Sequence, residues 1–355
     1  MNFAAIDYHK RYSFASALNE QGQRIGEARI VGNSPAGFVQ FFRSLGGPSQ
    51  VVLEACWNWG WLYDQLQQIE EVTEVILAHP YKTRLIAEAQ VKTDKLDARA
   101  LAQLLRGDLI ARAHVPSAAM RQRKNVLRQR LFWVKLRTAL RNRVHTLLAR
   151  QRGLSVPERT DLFGKKGQQW LERVELSAPD GWLLRQDREL LAVLDAHVRE
   201  IERYTEAEIA DDANLQRLRS IPGIGTVLAA VIGTEIDTLD RFVRPTKFTA
   251  YAGLMPTTHA SGGHCYHGPL VRGCNRWLRW ALVEAAWIAV GCDAYFGALY
   301  RHHRDRGKSA TIAITIVARR LAEIVWHVLH EARDYQDRNW QIKSDRSGVT
   351  LVGGS

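Results

Sequence analysis

The amino-acid sequence predicts an α/β domain at the N-terminus, followed by a mainly α-helical region. Three observations carry this prediction. Short apolar runs alternate with helical stretches over the first hundred or so residues. A basic segment without acidic residues then repeats leucine and valine at helical spacing, and a later run joins two helices through glycine. With 355 residues, 46% of them apolar, the chain is long enough for two or three domains with hydrophobic cores.

The first domain contains apolar runs with the length and composition of strands. These runs are Phe3 to Ile6, Phe14 to Leu18, Val51 to Leu53 and Val75 to Ala78. With helical stretches between them, they predict a three-layer arrangement of helices and sheet.

Four carboxylates stand in or beside these elements. Asp7 and Glu54 directly follow strand-like runs, where a charge is costly unless it is paired or bound to metal. Asp94 and Asp97 are three residues apart at the start of a predicted helix, with Thr93 as its N-cap, so they share a face. Two strand carboxylates and two on one helical face can hold a pair of Mg²⁺ ions roughly 3.5–4 Å apart, as phosphoryl transfer requires.

The helix that carries the second pair is predicted from apolar positions at helical spacing, which are Leu96, Ala100, Leu101 and Leu104. A purely structural alternative exists for its two acids. Asp94 would then be an ordinary first-turn charge, and Asp97 would pair with Lys95 or Arg99. The joint occurrence of all four carboxylates favours the metal site.

The formal net charge of +12 is concentrated in one segment. Between Leu109 and Pro157 there are twelve basic residues and no acidic residue, and apolar residues at spacings of three to five predict one long helix. A helix without acids is typical of a protein that binds a polyanion, because arginine can grip phosphates bidentately. The predicted nucleic-acid contacts on this helix are Arg121, Arg123, Lys124, Arg128, Arg130, Lys135, Arg137, Arg141 and Arg143.

Two further helical segments follow. A second long helix is predicted from about Leu183 to Ile209, and its apolar seam could pair with the basic helix or with another subunit. A helix-hairpin-helix is then predicted around the IPGIG turn, where Gly223 and Gly225 would let backbone amides face a phosphate. The alternative is a plain turn between two helices with a glycine cap. A loop containing Gly and Lys is predicted at 164–167.

Near the C-terminus, a segment rich in Gly, Ser and His is predicted to be a polar loop that leads into an apolar helix. A reactive group is expected on such a loop. Zinc binding there is disfavoured because the spacing fits no standard structural site, so the histidines are expected to contact phosphate or move protons. The residues concerned are His259, His264, Cys265, His267 and Cys274.

Tryptophan occurs in two clusters. Trp57, Trp59 and Trp61 could stack unpaired bases, although packing in the core or between subunits is favoured. The second cluster recurs at helical spacing and is predicted to lie in the core; it consists of Trp277, Trp280 and Trp287.

These motifs, in their order, resemble a known family. The carboxylate set, the IPGIG turn, the FTAYAGLMP segment and the NRWLRWALVEAA helix together are similar to the DEDD transposases of the IS110 insertion-sequence family, including its IS1111 branch, which are related to the Piv invertases. The resemblance spans nearly the whole chain. It departs after Glu54, where the familiar Thr-Gly-aromatic turn is replaced by Cys56-Trp57-Asn58-Trp59-Gly60-Trp61.

The resemblance implies a domain organisation. A RuvC-like, ribonuclease-H-type DEDD domain is expected over 1–115, the basic helix and a coiled-coil region over 116–212, and a C-terminal helical transposase domain over 213–340. The remaining tail, 341–355, is expected to be disordered. The family's acidic tetrad falls on the four carboxylates already described, and its nucleophilic serine falls on Ser261.

The resemblance also implies partners. Recombination would be guided by a structured bridge RNA that pairs with donor and target DNA, and homodimers would assemble into a tetramer in which domains of different subunits share a site. No signal peptide and no apolar run long enough to cross a bilayer is visible, so the expected location is the bacterial cytosol, at the nucleoid.

The resulting hypothesis is that Ser261 attacks a DNA phosphodiester while Mg²⁺ on the tetrad polarises the phosphate and Arg272 clamps it nearby. Two alternatives remain open. A hydrolytic junction nuclease of RuvC type would use the same carboxylates with water, and a noncatalytic nucleic-acid-binding protein would use only the basic helix and the hairpin motif.

Overall fold

The computed structural model describes the chain in four ranges, which are 1–86, 94–156, 161–261 and 264–336. The side chains of 84–86, 259–261 and 264–267 are outside that description. The chain divides after Ala118 into two compact units. The predicted tail 341–355 and the predicted cap Thr93 lie outside the described residues.

The first unit is built on a five-stranded sheet of order β3-β2-β1-β4-β5. β1 pairs antiparallel with β2 and β2 with β3, whereas β1, β4 and β5 run parallel. The strands are β1 (Asn2–Tyr8), β2 (Tyr12–Leu18), β3 (Arg24–Val31), β4 (Ser49–Glu54) and β5 (Val72–Ala78). The four predicted strands are present. β3 escaped prediction because it is an edge strand with polar, largely unburied positions.

Helices cover both faces of this sheet. Side-chain alternation along β1 directs Ile6 to a core shared with α1 and α2, and Ala5 to a second core shared with α4. The three-layer arrangement is therefore observed. The helices of this unit are α1 (Pro35–Ser44), α2 (Trp59–Leu66), α3 (Pro80–Ile86) and α4 (Asp94–Arg106).

The second unit begins with two 32-residue helices, α5 (Ala118–Ala149) and α7 (Ala178–Ile209), which lie antiparallel. Ion pairs show the direction, because partner numbers fall along α7 as they rise along α5. These pairs are Arg130–Glu202, Arg137–Asp195 and Arg143–Asp187. Within the chain, the second long helix thus pairs with the basic helix, and its pairing with another subunit stays a prediction.

A short helix, α6 (Lys165–Arg173), lies between them in sequence, so the predicted loop at 164–167 is wrong beyond its first residue. Leu171 of α6 packs with Val144 of α5 and Leu184 of α7 in a small core. Gly167 allows this packing, since a Cβ there would lie 2.0 Å from the carbonyl oxygen of Leu162.

The rest of the second unit surrounds a large apolar core, to which α9, α11 and α13 contribute most of the buried residues. A two-stranded antiparallel hairpin, β6 with β7, precedes α11. The elements are α8 (Ala213–Arg219), α9 (Thr226–Ile236), α10 (Pro245–Tyr251), β6 (Pro256–Ser261), β7 (His264–Leu270), α11 (Arg276–Cys292), α12 (Ala294–Asp305) and α13 (Ala310–His330).

The IPGIG turn connects α8 to α9, and the helix-hairpin-helix expected there stays a prediction. Gly223 has a φ of +86°, and a Cβ on it would lie 2.2 Å from the carbonyl oxygen of Ala285 in α11. Close packing therefore explains this glycine without a ligand. Gly225 caps the start of α9 with open space beside it. Phosphate binding by either glycine stays a prediction.

Two sequence predictions for the C-terminal region are wrong. The segment rich in Gly, Ser and His forms a β-hairpin over much of its length instead of a loop, with register pairs from Pro256↔Leu270 to Ser261↔His264. Trp287 is 45% exposed on α11 and so does not belong to the core, whereas Trp280 packs against it.

Within the described residues, no single helix is long and apolar enough to cross a bilayer. Taken together, α11 and α12 meet the length and composition criteria for a bent span, but their axes differ by 101° at the break.

Candidate active site

Asp7 and Glu54 lie at the carboxyl ends of two neighbouring parallel strands. The register pairs Ile6 with Leu53, so the next positions on β1 and β4 are level. Asp7 is two residues beyond Ala5, and Glu54 two beyond Val52, and both of these apolar residues face α4. Because side chains alternate along a strand, both carboxylates belong to the face that α4 covers.

Helix α4 brings the other two carboxylates to this face. Its buried stripe consists of Ala98, Leu101, Ala102 and Leu105. Asp97 is one helical turn before Leu101, and Asp94 one turn before Asp97, so the stripe that packs on the sheet ends in two acids. Leu96, which was predicted to belong to the apolar stripe, is instead 41% exposed. The buried stripe begins at Ala98, on a different side of the helix from Leu96.

A histidine joins the two halves of the site. His9 Nε2 lies 3.0 Å from Asp7 Oδ2 and 3.4 Å from Asp94 Oδ1. Tyr12 donates a hydrogen bond of 2.5 Å from its hydroxyl to Asp94 Oδ2. Ligand-capable atoms of Asp7, His9 and Asp94 all lie within 4.8 Å of one another. Neither Glu54 nor Asp97 belongs to that innermost group.

His9 was missed by the sequence reasoning, although a signal was available. It follows Asp7 by two residues, and on an extended chain such positions fall on the same side. The spacing Asp-x-His at a strand end is short and common. Only the structure therefore distinguishes His9 from an ordinary surface histidine.

Among the described residues, His9 is the basic side chain in contact with both Asp7 and Asp94. Burial raises the pKa of Asp7; His9 lowers it, and the charges of Asp94 and Asp97 raise it again. The hydrogen bond from Tyr12 is the main influence that lowers the pKa of Asp94. One imidazole, with at most one positive charge, thus stands among several carboxylates.

Ion pairs to Glu27 also connect α4 to the edge strand β3. Glu27 lies 3.0 Å from Lys95 Nζ and 2.5 Å from Arg99 Nε, and also pairs with Arg24. Burial raises the pKa of Glu27, but the bonds from Arg99 and Lys95 outweigh it and hold that pKa at about 2. Lys95 and Arg99 therefore pair with Glu27, which removes the structural alternative in which they neutralise Asp97.

The donor set fits a divalent cation. Carboxylate oxygens are the ligands that Mg²⁺ and Mn²⁺ prefer, and an imidazole nitrogen also suits Mn²⁺. Asp7, Asp94 and His9 could provide the closest ligands, with Glu54 and Asp97 on the same face.

The predicted nucleophile lies in the second unit. Ser261 is the last residue of β6, at the tip of the hairpin, and its side chain lies outside the described residues, as do Gly262 and Gly263. Arg272 is exposed and follows the other end of β7. Six residues of strand, about 20 Å, separate His264 at the tip from Leu270 at the base. Arg272 and Ser261 therefore stand at opposite ends of the hairpin, and the role of Arg272 as a phosphate clamp stays a prediction.

A polar cluster around the buried carboxylate of Glu235 lies at the start of α11. Asn275 caps α11 and donates its side-chain amide to Glu235 Oε2 at 2.9 Å and to Tyr251. Glu235, on α9, is 7% exposed and lies 3.1 Å from Lys124 Nζ and 3.5 Å from Arg128. Two residues predicted to bind nucleic acid thus neutralise an internal acid.

Other predicted contacts on α5 also have acidic partners in the chain. Besides Lys124 and Arg128, the basic residues Arg123, Arg130, Arg137 and Arg143 pair with acids of α7. Arg141 stacks over the ring of Phe163. Lys135 is exposed. Nucleic-acid binding by these residues, and by Arg121, stays a prediction, but much of the positive charge on this helix already has an internal counter-charge.

Comparison with known proteins decides the family. Residues 4–151 match the family model for the DEDD transposase of IS110, and residues 215–301 match the model described as "Transposase IS116/IS110/IS902 family". The chain belongs to the IS110 family of transposases. The first match contains the carboxylates and α5, and the second contains the hairpin and Glu235. The carboxylate site therefore lies in the DEDD domain of a transposase.

Relatives of this transposase resemble it over most of its length. A "Probable family 20 transposase" of Pseudomonas aeruginosa is 28% identical over 83% of this chain and 88% of its own. The transposase for insertion sequence element IS1328 of Yersinia enterocolitica is 26% identical over 79% of this chain and 84% of its own. The transposase for IS1111A of Coxiella burnetii is 24% identical over 81% and 79%.

Proposed function

We propose that this IS110-family transposase cuts and rejoins DNA strands with the help of divalent metal held at Asp7 and Asp94. The convergence of Asp7, His9 and Asp94 within 4.8 Å is the observation that carries the proposal. Several negative groups around one imidazole form a site that an added cation would stabilise. Mg²⁺ is the metal we expect, with Glu54 and Asp97 completing the ligands for one or two ions.

When bound, the metal would polarise the scissile phosphate and reduce its negative charge. The chain's own residues prepare for this. Tyr12 fixes one oxygen of Asp94 by a hydrogen bond, and His9 lies against the other. Glu27 anchors the helix on which Asp94 stands. The two halves of the site are therefore held close together before substrate arrives.

We further propose Ser261 as the nucleophile, on the strength of the family resemblance. Its Oγ would form a bond to phosphorus while the bond from phosphorus to one deoxyribose oxygen breaks. That oxygen takes up a proton and leaves as a free hydroxyl, and the serine proton passes to a base or to solvent. Rejoining reverses the step with the hydroxyl of the exchanged strand. A hairpin tip is a suitable place for such a residue, since it can reach DNA without moving a core.

Guidance by a structured RNA, and assembly of dimers into a tetramer, belong to the same proposal and also rest on the resemblance. Sequencing of RNA copurified with the protein tests the first. A discrete structured species is expected, whereas random cellular fragments alone would count against guidance.

The experiment on the reaction itself uses the full-length protein, its copurified RNA and DNA that carries the joined ends of the encoding insertion element. We expect cleavage that requires Mg²⁺ and a covalent protein–DNA adduct that is lost in Ser261→Ala. Continued cleavage by Ser261→Ala without an adduct would instead identify a hydrolytic nuclease. Binding without cleavage under any metal condition would identify a noncatalytic nucleic-acid-binding protein.

A further inference from the structure

Three aromatic rings form a stack at the same edge of the sheet as the carboxylate site. Tyr8 follows Asp7 and ends β1. The ring centroid of Trp57 lies 6.3 Å from that of Tyr8, with an angle of 10° between the planes, and Trp61 lies 6.2 Å away at 23°. Alternation along β1 puts Tyr8 on the opposite face from Asp7, so the stack and the carboxylates flank one strand end from its two sides.

The members of this stack differ sharply in exposure. Tyr8 is 8% exposed and belongs to the core, and Trp61 packs against that core. Trp57 is 66% exposed and so lies outside the core of this chain, and the alternative of packing between subunits stays a prediction. Its indole is nevertheless held by the nearly parallel ring of Tyr8, whose hydroxyl accepts a bond from Asn58. The result is an oriented aromatic surface open to solvent.

The chemistry of this surface selects its ligand. A flat indole with a free face suits another flat aromatic group, and unpaired nucleobases bind proteins in this way with little dependence on sequence. Paired bases are unsuitable because their neighbours in the duplex already cover their faces. Lys10 and Arg11, both exposed in the connection between β1 and β2, supply positive charge at the same sheet edge for the phosphates that accompany a base.

From these observations we infer that Trp57 is a stacking site for one unpaired base of the DNA strand that is cut at the Asp7–Asp94 site. The inference rests on the proposed function for the identity of that strand. By holding a base beside the strand end, Trp57 would fix the register of the backbone relative to the carboxylates. Trp57 is thus a positioning residue and takes no part in bond making.

The test measures base stacking directly, with the full-length protein and single-stranded DNA of the cleaved sequence. 2-Aminopurine is placed at successive positions around the cut, in EDTA, so that no cleavage occurs. We expect quenching of its fluorescence at one or two adjacent positions with the wild-type protein. Trp57→Leu should abolish this position-specific quenching and weaken single-strand binding about 5- to 100-fold. Trp57→Phe should restore much of both.

A matched control is available in Trp182, which is 57% exposed on α7 in the other unit. Trp182→Leu should leave quenching and single-strand affinity unchanged. Melting temperatures of all variants should agree within about 2 °C, because substitutions at exposed positions alter stability little. If Trp57→Leu fails this check, Trp57→Phe still decides the result: it should quench at the wild-type position with a smaller amplitude, and an amplitude equal to that of the wild type would overturn the inference.

Three outcomes would overturn the inference: quenching that is equal in Trp57→Leu, quenching without preference for position, or stronger quenching with RNA of the same sequence. Failure of the stacking inference can be distinguished from failure of the proposed function. If Trp57→Leu retains metal-dependent cleavage with the wild-type cut site, the inference fails and the proposed function stands. If stacking is present but Asp7→Asn still cleaves, the proposed function fails instead.

Discussion

Two carboxylate sites in this transposase are balanced in opposite ways. Glu235 in the second unit is almost wholly buried, and two cations and an amide surround it. In the first unit, Asp7 and Asp94 are 24% and 42% exposed, and His9 lies between them. Among the described residues, two basic side chains contact Glu235, whereas Asp7 and Asp94 share one imidazole at a more accessible position. The neighbours of the two sites therefore suit Glu235 to a structural role and Asp7 and Asp94 to the proposed metal site.

The largest effect is expected from removing the negative charge of Asp7. Asp7→Asn should lower the rate of strand cleavage by about a thousandfold or more, because metal stabilisation of transition-state charge is worth several kcal/mol. Its stability should not fall, since burial and the nearby acids already disfavour the ionised form of Asp7. Cleavage assays and urea denaturation measure the two quantities, with the exposed Glu70→Gln as control. Equal rates of cleavage by Asp7→Asn and Glu70→Gln would show that Asp7 has no role in the reaction.

The opposite pattern is expected at Glu235. Glu235→Ala should lower the free energy of unfolding by about 3–5 kcal/mol, because Lys124 would be left buried without its partner. Glu208→Ala is a suitable control, since Glu208 is 42% exposed and its pair with Arg123 is 3.7 Å long. That change should cost about 1 kcal/mol or less. If denaturant titrations gave similar losses in the free energy of unfolding for the two variants, Glu235 would stabilise the fold no more than a surface ion pair does.

The ion pairs of Glu27 predict a smaller, pH-dependent effect. Its pKa is lowered from 4.5 to about 2 in the folded protein. The resulting stabilisation is therefore complete above pH 4.5 and disappears as the pH falls towards 2. We expect a loss of about 1–2 kcal/mol across this range, since the group lies close to solvent. Glu27→Gln should lack this component of the acid transition. A stability difference between the two proteins that is independent of pH would refute the assignment.

The smallest effect is expected on DNA binding, where two basic residues of α5 are compared: Lys135, which is exposed, and Arg137, which has an acidic partner. Lys135→Gln should reduce the salt dependence of DNA binding, the slope of log K against log salt concentration, by about one. Arg137→Gln should reduce it less, because Asp195 lies 3.0 Å from Arg137. Binding titrations between low and moderate salt measure both slopes. A larger change for Arg137→Gln would mean that its ion pair opens when DNA binds.

The sequence was informative wherever a signal is local. Apolar runs located the strands that carry Asp7 and Glu54, and helical spacing located the helix that carries Asp94 and Asp97. β3 was missed because an edge strand buries little, and the β6–β7 hairpin because its polar composition is typical of loops. Such elements are decided by backbone pairing with a partner strand more than by their own composition.

Charge balance was the property that could not be predicted. The absence of acids on the basic helix was interpreted as a signal for a polyanion, yet the acids that pair with it stand more than forty residues away on α7, and on α9. In the same way, His9 could not be assigned to the site from the sequence, because Asp94, its second partner, lies on α4, far along the chain. Ionic partners far apart in sequence become visible once the fold brings them together.

The most direct test of the central claim is Mn²⁺ binding to the full-length protein, measured by electron paramagnetic resonance or calorimetry. Wild type and Glu235→Gln should bind with the same Kd, whereas Asp7→Asn and Asp94→Asn should each bind at least about tenfold more weakly, because a charged ligand is lost. Binding by Asp7→Asn and Asp94→Asn with the wild-type Kd would contradict the account, as would a wild-type protein that binds no Mn²⁺.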